Sequence, residues 1–273
     1  MEENKKKYPT TIYKYRDWSN NHHKKLLTTN ELYTPSVNQI NDPFDCLLEF
    51  DYNKMSQGFS ARAVDIMSKE FGNQLEEMGY NFLSLLKLKN PDEILKIINL
   101  KKKNDRRLIE NRKNYLGVIS FSERWNSILM WSHYSKSHSG FCVGFDTKKL
   151  INSKYFQNGS KVFYEKKYPE IDPFDDSINK IREVFFYKAK DWSYEKEYRM
   201  TKLFGYYRDN PGEFEKQKLF SFDNNFITEV ILGLKIDPKA QQDIEKICSE
   251  KNIAVYKIES VGYKFKLTRK KLL

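Results

Sequence analysis

The sequence predicts an α+β protein with one mixed or antiparallel sheet as its core, residues 1–273 forming a single domain that carries a helical insertion at about 56–114. Three observations lead there. Short runs of strand character recur, at 116–122, 140–146, 194–203 and 226–236, rich in aromatic and β-branched residues. Between 56 and 114 the apolar residues return instead at helical spacing, as in Phe82, Leu85 and Leu86 and again in Ile94, Ile97 and Ile98. No internal repeat appears, and no linker rich in Gly, Pro or Ser divides the chain.

Taken in order, 8–16 reads as a first strand, because Ile12-Tyr13-Lys14-Tyr15-Arg16 alternates. Ser19 or Asn20 then caps a short helix running to Leu27. A second extended piece at 31–36 leads into a loop in which Asn41-Asp42-Pro43 initiates a turn. The insertion follows as two to four helices, broken at Asn90-Pro91. Beyond it come further strands at 161–164, 253–258 and 263–267, with helices at 127–135, 177–186 and 238–251.

Composition narrows the class. No apolar run approaches the roughly 20 residues of a membrane helix, and Met1-Glu2-Glu3-Asn4-Lys5-Lys6-Lys7 precedes no signal-peptide core. A cytoplasmic protein without membrane association is therefore expected. Cys46, Cys142 and Cys248 are few, odd in number and far apart, which argues against a disulfide framework and a structural zinc, so no metal is assigned. The absence of a Gly-rich phosphate loop weighs against kinases and dehydrogenases.

The net charge of +11 is concentrated in two places. Residues 87–113 hold ten Lys and Arg against four acids, and residues 262–273 hold five against none. Such clusters attract polyanions by counterion release. Nucleic acid is thus an expected partner, with Lys101, Lys102, Lys103, Arg106 and Arg107 as candidate contacts; a solvated helix face is the alternative.

Chemistry is densest in Trp192-Ser193-Tyr194-Glu195-Lys196-Glu197-Tyr198-Arg199. If this segment is extended, Glu195 and Glu197 share a face. A carboxylate pair there suits a catalytic role beside a cationic transition state, whereas the plainer alternative is a strand face closed by an ion pair with Arg199. In Met130-Trp131-Ser132-His133-Tyr134-Ser135-Lys136-Ser137-His138 the two histidines stand five apart, so a helix must end between them before they can act together. Gly140 is the expected stop. Asn41 and Asp42 either hold their own turn or bond a nucleotide's ribose hydroxyls.

Four motifs together resemble a bacterial family known as domain of unknown function 2971: Tyr13-Lys14-Tyr15-Arg16; Asn41-Asp42-Pro43-Phe44-Asp45; Phe121-Ser122-Glu123 with Met130-Trp131-Ser132-His133-Tyr134 and His138-Ser139-Gly140-Phe141; and the Trp192–Arg199 segment. The order of elements, with the Glu-x-Glu segment followed by Ile227-Thr228-Glu229-Val230-Ile231-Leu232-Gly233-Leu234, is also similar to ADP-ribosyltransferases, particularly toxins that modify DNA or RNA. That likeness implies NAD as substrate. It implies Arg16 or Tyr15 gripping it, Trp131 or Tyr134 stacking on nicotinamide, and Glu195 or Glu197 completing the site, with Glu197 first choice and His133 a further catalytic candidate. The expected function is an NAD-consuming toxin or anti-phage effector, with a partner protein from a defence or toxin–antitoxin system. A metal-independent nuclease using His133, His138 and a glutamate, or a non-enzymatic nucleic-acid-binding or sensor module, is the alternative.

Overall fold

The computed structural model describes residues 8–46, 50–53, 55, 58–169, 171–174, 185–205 and 211–273. Its elements are β1 (Thr11–Arg16), α1 (Asn21–Thr28), β2 (Glu31–Tyr33), α2 (Ala61–Glu77), α3 (Phe82–Leu86), α4 (Pro91–Tyr115), β3 (Leu116–Ser122), α5 (Ile128–Tyr134), β4 (Phe141–Asp146), α6 (Thr147–Asn152), β5 (Asn158–Lys161), β6 (Phe163–Glu165), β7 (Tyr187–Ala189), β8 (Glu197–Leu203), α7 (Pro211–Gln217), β9 (Leu219–Ser221), β10 (Ile227–Leu232), α8 (Pro238–Glu250), β11 (Val255–Ser260) and β12 (Leu267–Lys271). The fold is α+β, around a large mixed sheet of order β12-β11-β10-β4-β1-β3-β8-β5. β10 and β11 run parallel; the other neighbours are antiparallel.

Alternation of side chains gives the sheet two buried faces. On one, Ile12, Ile119, Phe121, Phe141, Val143 and Phe145 pack with Leu26 and Leu27 of α1 and Ile244 and Cys248 of α8. Asn20 starts α1 by accepting the N–H groups of His22 and His23, and Asp237 with Pro238 starts α8. On the other face Tyr13, Tyr15, Cys142, Ile231 and Ile258 pack with Met130 and Trp131 of α5.

The insertion forms three helices with an apolar cluster of their own, including Val64, Met67, Leu75, Ile94 and Ile97. Its expected beginning, and the helix expected at 177–186 up to residue 184, fall on positions outside the described residues. Two strand expectations need correction. Residues 190–195 form a 3-10 helix and β8 starts only at Glu197. Residues 263–266 form a turn before β12, so the last strand is shifted toward the C-terminus.

One irregularity positions the site. β1 pairs with β4 along all six residues, but among the described residues its ladder with β3 is the single pair Tyr13↔Ser122. Further along β3 a different segment takes over as neighbour: Val118 N–H donates to the Pro35 carbonyl at 2.9 Å, and Ser36 bridges Gly117. Between these two neighbours the sheet is open beside Ile119, Ser120 and Phe121. Lys14 reaches across the opening and donates its Nζ to the Ser120 carbonyl, a backbone acceptor that the ladder leaves free.

Candidate functional site

A cavity of about 780 Å3 occupies this opening, within the range of small-molecule and cofactor sites. β1 contributes Lys14, Tyr15 and Arg16; α1 contributes His22 and His23; the loop after β2 contributes Gln39, Asn41 and Asp45; β3 contributes Ser120 and Ser122. Tyr134 from α5, Lys188 from β7 and the pair Glu195 and Glu197 complete the wall.

The carboxylates reach it by a route other than a shared strand face. Glu195 ends the 3-10 helix, Lys196 turns the chain in the left-handed region at φ 45°, and Glu197 opens β8. Ser122 fixes this turn by donating its hydroxyl to the Glu195 carbonyl at 2.6 Å. The carboxylates then meet on one ammonium: Lys188 Nζ lies 2.6 Å from Glu195 Oε2 and 3.1 Å from Glu197 Oε2.

Their environments differ. Arg199, with no exposed surface, donates Nε to Glu197 at 2.6 Å and forks two N–H groups onto Asp45 at 2.9 and 2.8 Å. Bidentate pairing of this kind is strong and geometrically exacting. Burial alone raises the Glu197 pKa, but Arg199 and Lys188 outweigh it and hold the carboxyl at about 2. Glu197 is thus ionised at neutral pH and held by two cations. Among the described residues Glu195 pairs with no arginine; it accepts the Tyr134 hydroxyl at 2.5 Å and Lys188. Burial pushes its pKa up despite Lys188. Its carboxylate is the less heavily neutralised of the two facing the cavity, which moves the catalytic candidacy from Glu197 to Glu195.

The β1 side is cationic. Arg16 donates to the Tyr15 carbonyl at 3.2 Å and Lys14 to the Ser120 carbonyl; among the described residues neither has an ion-pair partner. Burial, then Arg16, holds Lys14 well below the usual lysine range, and burial lowers Arg16 to about 10. His23 is held at about 4 by burial and by Arg16, so it is neutral at pH 7. Its Nδ1 accepts the Asp17 N–H at 3.3 Å, which leaves Nε2–H as donor. One end of the cavity therefore presents the Arg16 cation and the Lys14 amine, neither ion-paired among the described residues, and the other a carboxylate. Such a pairing suits a ligand with anionic groups at one end and developing positive charge at the other.

Of the residues singled out from sequence, Tyr15, Arg16, Asn41, Tyr134, Glu195 and Glu197 line this cavity; Asp42, Trp131 and His133 do not. Trp131 is fully buried, donates Nε1 to the Trp125 carbonyl at 2.7 Å and meets Tyr15 edge-on at 5.1 Å, so it has no free face for a nicotinamide ring. Asp42 accepts the Phe44 N–H at 2.9 Å and so serves its own turn. His133 is exposed at the end of α5, 3.0 Å from the Tyr194 hydroxyl, while His138 faces Ser132 at 3.2 Å.

The expected basic contacts divide as well. Lys103, Arg106 and Arg107 are exposed, and Lys102 lies over the Tyr52 ring at 5.2 Å. Lys101 is buried between Glu70 at 2.8 Å and Asp105 at 2.7 Å, and cannot be a surface contact. Sequence reasoning gave no role to Lys14, His23, Asp45 or Lys188. Lys14 and Asp45 lie inside motifs it quoted, whereas Lys188 carries no pattern that would have marked it.

Among the described residues no helix is long and apolar enough to cross a membrane. Neither a curated protein nor a solved structure matches the chain. Residues 130–200, the segment holding Tyr134, Lys188, Glu195, Glu197 and Arg199, match the family described as Protein of unknown function (DUF2971).

Proposed function

We propose that the cavity binds NAD as a substrate and that the protein cleaves its nicotinamide–ribose bond, in the manner of an ADP-ribosyltransferase or NAD glycohydrolase. The observation that carries this reading is the shared cavity itself: the guanidinium of Arg16 and the amine of Lys14, neither with a carboxylate partner among the described residues, line the same cavity as Glu195. The pyrophosphate is assigned to Arg16, Lys14 and the Nε2–H of His23, and a ribose hydroxyl to Asn41. Glu195 then lies toward the reacting ribose. As the C1′–N bond breaks, its electron pair leaves with nicotinamide, and positive charge develops on the ribose ring. The Glu195 carboxylate stabilises that charge, and Tyr134 and Lys188 hold it in place. Water, or an acceptor hydroxyl or amine, completes the substitution by bonding to C1′ and releases its proton to solvent. A nuclease built on His133 and His138 has less support, since neither lines the cavity.

Two measurements on the full chain test the reading. NAD should raise the melting temperature, and Arg16→Ala should remove that rise. Nicotinamide release, followed by chromatography, should fall about a hundredfold or more in Glu195→Gln, the usual effect of losing one electrostatic stabiliser. No thermal response to NAD in the wild type, or equal release by both proteins, would overturn the proposal.

A further inference from the structure

At the far edge of the sheet from β5, β11 and β12 form a hairpin whose tip carries Tyr263 and Phe265, at 113% and 102% of their reference exposure. Two large aromatics standing wholly in water forgo the free energy that burying them would supply. The tip is nevertheless tied down. Val261 N–H donates to the Lys266 carbonyl at 3.0 Å, Lys264 N–H to Val261 at 3.1 Å and Lys266 N–H to Lys264 at 2.8 Å. Below it Ser260 pairs with Leu267, and the buried Leu267 side chain anchors the hairpin to the cluster under α5. The aromatics are thus held out on a fixed turn.

Charge accompanies them. Lys264 and Lys266 alternate with the rings and are exposed, as are Lys270 and Lys271 along β12; the exposed Glu259 opposes them. Arg269 does not belong to this set, because it pairs with Glu229 at 2.6 Å beneath the rings of Trp125 and Tyr256. The other basic segment differs. Lys101 is buried, Lys113 pairs with Glu110, and the exposed cations of α4 have exposed Leu95 and Leu108 on their helix, with no aromatic as prominent as the tip pair.

We infer that the 261–271 hairpin is a binding site for single-stranded nucleic acid, with Tyr263 and Phe265 stacking on bases while Lys264 and Lys266 take the phosphates. Unpaired bases offer π-faces to aromatic side chains whatever the sequence, and the backbone supplies the negative charge the lysines lack. A membrane surface fits less well. Inserting both rings would carry Lys264, which sits between them, toward the hydrocarbon, whereas a single strand satisfies ring and ammonium at once.

The test uses the full chain and a fluorescently labelled oligothymidylate or oligouridylate of about 20 nucleotides, read by anisotropy. The wild type should bind. Tyr263→Ala and Phe265→Ala should each weaken binding about tenfold, in keeping with 1–3 kcal/mol per stacked base. Replacing Lys264 and Lys266 by Gln should reduce the log–log salt slope by about 1.4. Nicotinamide release should be unchanged in all of these variants, which separates this site from the cavity. Absence of oligonucleotide binding, undiminished binding by both Tyr263→Ala and Phe265→Ala, or binding to phosphatidylserine vesicles without oligonucleotide binding would each overturn the inference.

Discussion

Arg199 carries Glu197 and Asp45 on one guanidinium, so it ties β8 to the loop after β2. In sequence Glu197 carries two readings, catalytic carboxylate and ion-pair partner of Arg199, and the structure shows the ion pair. The pH dependence follows from the sign of the shift. The Glu197 carboxyl sits at about 2 in the folded protein, against 4.5 ordinarily, so its contribution to stability is complete above about pH 4.5 and is lost as pH falls toward 2. Glu197→Gln should therefore lower the melting temperature at pH 7, since Arg199 loses a buried partner at a cost of about 3–5 kcal/mol. It should also flatten the decline of melting temperature between pH 4.5 and 2. Parallel curves for the two proteins would show that the ion pair does not control acid stability. The motif was legible in the sequence, and so was the candidacy of Arg199 as its partner. The conformation of Lys196 was not, because a left-handed non-glycine residue is uncommon and carries no spacing signal. Lys188, which joins both carboxylates, is set by tertiary packing.

Elements were more legible than the contacts between them. Helical spacing at Ile94, Ile97 and Ile98 gave α4, and the same stripe continued one and two turns further reaches Lys101 and Asp105, an i,i+4 pair that the structure buries. Extending the stripe would have removed Lys101 from the basic surface. Gly140 teaches a related point. Sequence suggests a helix stop, but α5 has already ended at Tyr134, and residues 136–138 lie in the left-handed region. The glycine is needed because a Cβ there would stand 2.1 Å from the Arg16 carbonyl oxygen. That contact is to backbone and has no side chain to swing away. Gly140→Ala should push the entry to β4 off the end of β1, lower the melting temperature by several degrees, and weaken the thermal response to NAD by displacing Arg16. An alanine variant with wild-type stability and an unchanged response would mean that the contact relaxes freely.

At the scale of the molecule, the class of fold could be read from local patterns, since alternation and helical spacing are properties of neighbouring residues. The opening of the sheet could not. It depends on β1 leaving β3 after one pair and on residues 35–36 taking its place, a choice among long-range partners that no local pattern encodes. The helical lobe poses the complementary question of how strongly it is coupled to that sheet. Its cluster of Val64, Met67, Leu75 and Ile97 is separate from those of the sheet, yet α4 passes at Tyr115 directly into Leu116 of β3, a cavity-lining strand. The four tryptophans, Trp18, Trp125, Trp131 and Trp192, all lie outside the lobe, whereas α2 and α4 supply 17 and 25 helical residues. Tryptophan fluorescence thus follows the sheet, and circular dichroism at the helical minimum is weighted toward the lobe. Ile97→Ala removes a fully buried side chain and should cost about 2–5 kcal/mol. If the separate cluster makes the lobe a cooperative unit of its own, urea should unfold the helices of this variant well before the tryptophan signal changes. Coincident curves, shifted equally, would show instead that the α4–β3 junction binds lobe and cavity into one unit.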